Sequence, residues 1–243
     1  MTRYEDGQGK PLLTVNPVKR LTEARAWYRV EKRRSYIKDH ELGAFLEALE
    51  NLPPAPMDSA PDYFRLVLFT GLRRNEAAML KWENVDLTAK TFTIINTKNK
   101  ESLTLPMSTP VYELFQKRFK LCRINPETTS NPFVFPANGK SGYFAEPKGY
   151  VKAIKESSGV DFSTHDLRRT FATIAESLDI GGYALKRLLN HKQAGDVTAG
   201  YIVHDAERLR APIQAIADAI LTRAGRKAQG SIIPFHKRSV GDL

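Results

Sequence analysis

STHDLRRTFAT, at residues 163–173, carries the strongest local pattern in the chain. Apolar residues recur at helical spacing over 167–178, which predicts an amphipathic helix. The Ser-Thr pair at its start supplies a capping residue. His165 and Arg168 are three residues apart and lie off the apolar stripe, so they share a face of this helix. We expect a titratable imidazole and a permanent cation to project together out of the core.

The rest of the chain predicts further helices and a small sheet. Two β-rich segments, 91–97 and 101–106, flank a Lys-Asn-Lys turn and indicate a β-hairpin. Gly71 is expected to end the helix that precedes it. The other predicted elements are helices near 42–49, 63–69, 75–81, 111–121, 148–156, 183–190 and 209–220 and a short strand at 133–135. The predicted fold class is mainly α with a small antiparallel β-sheet (α+β).

Composition favours a nucleic-acid partner. The 243 residues include 37 Lys and Arg against 27 Asp and Glu, a net charge of +10. Such an excess favours a polyanion as partner. No apolar run has the length of a transmembrane helix, and the N-terminus lacks the apolar core of a signal peptide. The lone Cys122 excludes an internal disulfide and a multi-cysteine zinc site. We therefore expect a cytoplasmic protein that does not enter a membrane.

Charge and patterning divide the chain into three parts. Residues 1–38 form a polar lead-in and a basic interdomain linker, 39–223 a globular domain, and 224–243 a basic tail. Aromatic residues lie among the cations of the linker, which is compatible with a strap that follows a phosphate backbone. The basic residues of the linker are Lys19, Arg20, Arg25, Arg29, Lys32, Arg33, Arg34 and Lys38.

Three separated residues suit the capture of a phosphate. Arg73 and Arg168 carry planar guanidinium groups that match two non-bridging phosphate oxygens and stay charged. His191 can add a further hydrogen-bond donor. Such preorganised charge would stabilise a pentavalent phosphorus centre.

Three other residues could move protons or attack. His165 can act as a general acid or base near neutral pH. Lys98, at the predicted hairpin turn, could protonate a leaving alkoxide. Tyr201 would be the nucleophile, and its ordinary pKa of about 10 means that it needs cationic neighbours or a base.

The order of these residues resembles the catalytic domain of the tyrosine recombinases and is most similar to temperate-phage integrases. The matching motifs are TGLRRNE around Arg73, TKNK around Lys98, HDLRRTFAT around His165 and Arg168, LNHK around His191 and TAGY around Tyr201. Glu76 matches the acidic residue that supports the first arginine in that family. The similarity runs from about residue 16 to residue 219. One departure is the interval from His191 to Tyr201, which is one residue longer than usual.

The resemblance implies the fold of a DNA breaking-rejoining catalytic domain over 39–223. It implies a site-specific recombinase, an integrase that cuts and rejoins DNA through a 3′-phosphotyrosine to integrate or excise a phage or mobile element. No cofactor, metal or ATP is expected. The implied partners are double-stranded DNA attachment sites and other copies of the chain, which is a monomer in solution and a homotetramer on DNA. A host DNA-bending protein and an excisionase are further implied partners. The core-binding and arm-binding domains that such integrases carry are expected to be absent from this chain, and the active enzyme to associate with the bacterial nucleoid.

Alternatives remain at this stage. A type IB topoisomerase shares the chemistry but relaxes supercoils, and a non-catalytic DNA-binding module could keep the fold. A zinc-dependent hydrolase using His165 and His191 lacks a clustered ligand set. The apolar seam at 209–220 could pack within its own domain, although the resemblance favours docking on a neighbouring protomer.

Overall fold

The computed structural model describes residues 8, 17–27, 35–52, 59–95, 102–145, 147–190 and 206–227. The chain divides into two compact units, Met1–Arg34 and Ser35–Leu243. In the first unit the described part is helix α1 (Pro17–Glu23) and the turn after it, where the Trp27 indole donates to Thr22 Oγ1 at 3.1 Å. None of the described helices combines the length and apolarity that crossing a bilayer requires.

The second unit is built mainly from helices. Its described helices are α2 (Leu42–Glu50), α3 (Ser59–Thr70), α4 (Arg74–Ala78), α5 (Thr109–Ile124), α6 (Pro126–Thr129), α7 (Lys148–Ser158), α8 (Thr164–Ser177), α9 (Gly182–Leu188) and α10 (Arg210–Arg223). Three strands follow α4 in one antiparallel sheet, so the predicted α+β class is confirmed.

The core is organised around two helices, α3 and α8. Every residue of α3 except Arg65 is buried, which is why its sequence lacks a clear polar face. Helix α8 packs along α3 and buries Leu167, Phe171 and Ile174. The helix predicted from residues 163–178 is therefore confirmed, and it lies at the centre of the unit.

Gly71 ends α3 in a left-handed conformation, as predicted. Its φ is +65°, and its N–H donates to Val67 O at 2.9 Å. A Cβ at this position would lie 2.6 Å from Cδ1 of Phe171 on α8. The glycine is thus required twice, by its backbone conformation and by the close approach of α8.

Replacing Gly71 with alanine is expected to lower the free energy of unfolding by about 2–5 kcal/mol. Left-handed strain contributes about 1–2 kcal/mol and overpacking against Phe171 about 1–3 kcal/mol. The matched control is Gly159→Ala, which has φ +72° but no described atom within 4 Å of its Cβ, so only the strain of about 1–2 kcal/mol applies. Urea denaturation measures both, and equal effects would contradict the role of the Phe171 contact.

The sheet has the order β1-β2-β3, with strands β1 (Val85–Asp86), β2 (Thr91–Ile94) and β3 (Leu103–Pro106). Phe92 pairs with Leu105 and Ile94 with Leu103, and all four side chains are buried. The predicted hairpin pairing is confirmed. Its Lys-Asn-Lys turn lies outside the described residues. Strand β1 was not predicted, because two residues are too short for a period-2 pattern.

Several predicted elements are shorter than expected, and two of them meet each other. The helix expected over 75–81 ends at Ala78, because the chain after it turns to pair with the segment at 132–134. Trp82 N–H donates to Pro132 O and Val134 N–H to Leu80 O, both at 2.9 Å. The strand expected at 133–135 is only an isolated bridge between Lys81 and Phe133.

The apolar seam of α10 packs within its own unit. Leu209, Ile213, Ile216 and Ile220 are all at most 5% exposed, and α10 contacts α2, α3, α5 and α8. The expectation that these side chains dock on a neighbouring protomer is wrong, because the core of the same unit covers them.

Candidate active site

The first turn of α8 is held by a buried carboxylate. Asp166 Oδ2 accepts hydrogen bonds from the Ser163 backbone N–H at 2.9 Å and from the Ser163 hydroxyl at 2.7 Å. This arrangement fixes the residue before the helix to its third residue. His165 lies between the two and is exposed to solvent.

Arg168 lies one turn further along α8 and is buried, being 7% exposed. Its Nη1 donates to Gly71 O and its Nη2 to Leu189 O, the latter at 2.5 Å. These carbonyls follow the C-termini of α3 and α9, where the helix dipoles favour a cation. The expectation that Arg168 projects out of the core beside His165 is therefore wrong, because backbone acceptors draw the guanidinium inward.

Burial changes the acidity of this arginine. Loss of solvation, followed by the positive charge of Arg73, lowers the pKa of Arg168 to about 10, while Glu76 opposes the shift. Since this value remains well above neutral pH, the guanidinium keeps its charge. The site therefore contains a desolvated cation close to a second one.

Arg73 is held where α4 begins. Its Nη1 donates to Glu76 Oε1 at 2.8 Å, and its backbone N–H donates to Glu76 Oε2 at 3.0 Å. The side chain of Glu76 is 8% exposed and that of Arg73 29% exposed. Glu76 thus fixes Arg73 through both backbone and side chain and leaves the guanidinium partly open to solvent.

The two arginines meet at one turn of the chain. Arg73 Nη2 donates to Asn190 O at 3.3 Å, and Arg168 donates to the preceding carbonyl of Leu189. Asn190 has a left-handed backbone with φ of +48° and directly precedes His191 in sequence. The structure therefore brings together Arg73, Arg168 and the turn that leads to His191.

Lys98, His191 and Tyr201 lie outside the described residues. The described segments end at Ile95 before Lys98 and at Asn190 before His191, and the next one begins at Ala206 after Tyr201.

A cleft of about 770 Å³ adjoins Arg73 between α4 and β2. Lys81 and Arg74 contribute positive charge to its wall, while Met79 and Ile95 expose apolar surface there. The sequence singles out only Arg74 among these wall residues, through the TGLRRNE motif, whereas Met79, Lys81 and Ile95 lie just beyond α4 and β2 and carry no motif. The cleft extends the charged site towards the end of the strand that precedes Lys98.

The charges around His165 favour its neutral form. Partial burial, then Arg169 and Arg168, lower the pKa of His165 below its ordinary value, and Asp166 opposes this shift. Because the folded pKa is depressed, the folded state binds fewer protons than the unfolded state in this range. The contribution of His165 to the free energy of unfolding is therefore fully present above the ordinary histidine pKa. It is lost progressively as the pH falls from that value through the lower folded pKa.

We expect an NMR titration of the His165 ring, without DNA, to give a midpoint below the ordinary value of about 6.5. Arg169→Gln should raise that midpoint, because Arg169 is the charge that lowers it most. A midpoint above the ordinary value in the wild type would contradict the electrostatic picture.

Comparison with known proteins identifies the family. The model of the phage integrase family matches residues 35–208, which is most of the chain. The chain belongs to the phage integrase family. This match begins at the first residue of the larger compact unit, and it includes α4, the hairpin strands and α8.

Two curated relatives of this integrase-family chain are recombination proteins. The prophage integrase IntF of Escherichia coli strain K12 is 28% identical over 190 residues, covering 78% of this chain and 40% of the relative. The tyrosine recombinase XerA of Saccharolobus solfataricus is 29% identical over 128 residues, covering 53% of this chain and 40% of the relative. The chain thus spans less than half the length of these two relatives.

Solved structures support the fold. The integrase from mycobacterium phage Brujita superposes with a TM-score of 0.57 at 21% identity, covering 81% of this chain and 65% of that one. The XerH site-specific recombinase bound to its difH substrate gives 0.55 at 20% identity, covering 78% and 53%. The described architecture is therefore the fold that this chain shares with these two recombinases.

Proposed function

We propose that this chain carries the catalytic part of a site-specific DNA recombinase, an integrase that cuts and rejoins DNA strands. The enzyme integrates or excises a phage or another mobile element. The observation that carries this proposal is that Arg73 and Arg168 both donate to the turn at Leu189–Asn190. Arg168 lies three residues after His165 on α8. Two fixed cations beside a titratable imidazole suit a reaction at a phosphodiester.

In this proposal the arginines bind and polarise the phosphate. Arg73 is part exposed and oriented by Glu76, so it can meet an incoming phosphate oxygen without losing its support. Arg168 acts from a desolvated position, where a charge interacts more strongly with charge that develops at phosphorus. His191, which follows Asn190 in sequence, adds a hydrogen-bond donor to the phosphate in this proposal.

Proton transfer and attack fall to three residues. The Tyr201 hydroxyl attacks phosphorus and forms a 3′-phosphotyrosine, while the 5′ oxygen leaves as a hydroxyl. His165, favoured in its neutral form, accepts a proton, and Lys98 supplies one to the leaving oxygen. A 5′-hydroxyl of the partner strand then reverses the step. Each phosphodiester is exchanged for another, so neither ATP nor a metal ion is needed for the balance.

The proposed assembly and location rest on the family resemblance. Two double-stranded attachment sites would be held by four copies in a homotetramer on DNA, assembled from monomers in the cytoplasm of a bacterial host. In this proposal residues 39–223 form the catalytic domain together with 35–38, which belong to the larger unit, while 1–34 form the incoming linker and 224–243 a basic tail. A host DNA-bending protein and an excisionase are further partners in this proposal, of the kind that control the direction of recombination.

Covalent trapping tests this function directly. The chain is incubated in excess EDTA with a nicked attachment-site duplex, from which the cleaved strand end dissociates so that religation fails. The expected result is a protein–DNA adduct, with the nucleotide mapped by mass spectrometry to the peptide that contains Tyr201. DNA binding without any adduct, also after extension to the length of the curated relatives, would favour a non-catalytic binding module. Adducts with relaxation of supercoils but no strand exchange would favour a topoisomerase.

A further inference from the structure

We propose that Asp166 is a positioning residue that ties the start of the larger unit, at Ser35–Ile37, to the first turn of α8 and so holds His165 in place for the reaction. This inference rests on the proposed recombinase function for its kinetic consequence. The tie itself is a feature of the DNA-free protein.

The contacts of the Asp166 carboxylate reach beyond its own helix. The residue is 0% exposed. Oδ2 completes the local cap with Ser163, whereas Oδ1 accepts from the Ser35 hydroxyl at 2.9 Å and from Arg169 Nη1 at 3.1 Å. A helix cap needs only the local contacts and can stay at the surface. The bond to a residue 131 positions away makes this carboxylate a tertiary link.

A second link joins the same two segments one turn later. The Ile37 backbone N–H donates to Thr170 Oγ1 at 2.9 Å, and the Thr170 hydroxyl donates to Asp166 O at 2.8 Å. The Ile37 side chain is 1% exposed and belongs to the core. Residues 35–37 are therefore fixed against one face of α8 at two points, Asp166 and Thr170. The buried Ile37 side chain also anchors them in the core.

His165 depends on this link in two ways. It lies in the first turn, where a helix whose orphan N–H groups lose their cap frays most readily. It also lies beside charges of both signs: Arg169 and Arg168 lower its pKa, Asp166 raises it, and Arg73 and Glu76 act in turn on Arg168. Loss of the Asp166 charge would thus move both the ring and its proton equilibrium.

Three variants of the full chain separate positioning from folding. Asp166→Asn keeps the shape but removes the charge. Ser35→Ala removes only the distant donor, and Ser35→Thr keeps a hydroxyl there as the conservative control. Each is measured by NMR titration of the His165 ring, by single-turnover adduct formation at saturating DNA, and by DNA affinity.

We expect Asp166→Asn to lower the His165 midpoint and to slow adduct formation about 10- to 100-fold, since small misplacements of a reacting group have such effects. DNA affinity should stay within about threefold, because the substitution leaves the two proposed phosphate ligands, Arg73 and Arg168, unchanged. Ser35→Ala should also slow adduct formation but leave the His165 midpoint unchanged. Ser35→Thr, which keeps the hydroxyl, should form adducts at the wild-type rate.

Two results would overturn the inference: an unchanged His165 midpoint in Asp166→Asn, or a wild-type rate in Ser35→Ala. If Asp166→Asn fails to fold, Ser35→Ala and its threonine control still decide. If the wild type forms no adduct, the proposed function fails separately. Hydrogen exchange of the first turn of α8 in the DNA-free variants then decides whether the link holds that turn.

Discussion

Tyr201→Phe is expected to bind attachment-site DNA with unchanged affinity and to form no covalent adduct. The substitution removes the one phenolic oxygen that the proposed mechanism uses and keeps the aromatic ring. Removal of a nucleophile leaves only the stabilisation from binding and charge, so the cleavage rate should fall by at least about 10⁴-fold. Single-turnover trapping in EDTA, with affinity measured on the same duplex, provides the test.

The matched control is Tyr183→Phe. Tyr183 lies in the short helix α9 and is half-buried, so it is expected to pack and not to attack. Its variant should form adducts at about the wild-type rate. An adduct that persists in Tyr201→Phe and disappears in Tyr183→Phe would mean that the assignment of the nucleophile is wrong.

Arg168→Lys is expected to reduce both cleavage and stability, although it keeps the charge. The guanidinium bridges Gly71 O and Leu189 O with separate nitrogens, and a single ammonium cannot reproduce that fork. Loss of a preorganised donor should slow single-turnover cleavage about 10²- to 10³-fold. Losing part of a buried, charge-assisted contact should lower the free energy of unfolding by about 2–3 kcal/mol.

The neighbouring arginine provides the control for this variant. Arg169 also lies on α8, but its side chain is 30% exposed and pairs with Asp166 at 3.1 Å, a contact that lysine can keep. Arg169→Lys should therefore change the free energy of unfolding by no more than about 1 kcal/mol. Equal effects of the two substitutions on cleavage would show that the buried fork has no special role.

Periodicity predicted most of the scaffold because its helices bury regular apolar stripes. Helix α8 and the glycine that ends α3 follow from residues that lie close together in sequence. The burial of Arg168 does not follow in this way, since a side chain beside an apolar stripe can point to solvent or to acceptors on other elements. Its acceptors at Gly71 and Leu189 lie 97 and 21 residues away, and although both residues fall inside the motifs, a motif does not show that their backbone carbonyls accept from this side chain.

The candidate site was predicted from motif order, and the structure places only part of it. Arg73, Glu76 and Arg168 converge, whereas Lys98, His191 and Tyr201 stay predictions. The role of Asp166 was missed because its partner Ser35 lies on a distant segment with no pattern of its own. A sequence shows that an acidic residue can cap a helix, but it does not show which distant residue donates a further hydrogen bond to that carboxylate.

The contact between Arg223 and Asp39 has a consequence for protein engineering. Arg223 Nη1 donates to Asp39 Oδ1 at 3.1 Å, so the last turn of α10 meets the chain just after the larger unit begins. Neighbouring ends are the condition under which circular permutation and domain insertion are tolerated. A short linker from the end of α10 to Ser35, which keeps the contact of Ser35 with Asp166, could join these ends while new termini open at the exposed turn near Gly139 and Lys140. The catalytic unit could then be inserted as a closed cassette into a loop of another DNA-binding protein.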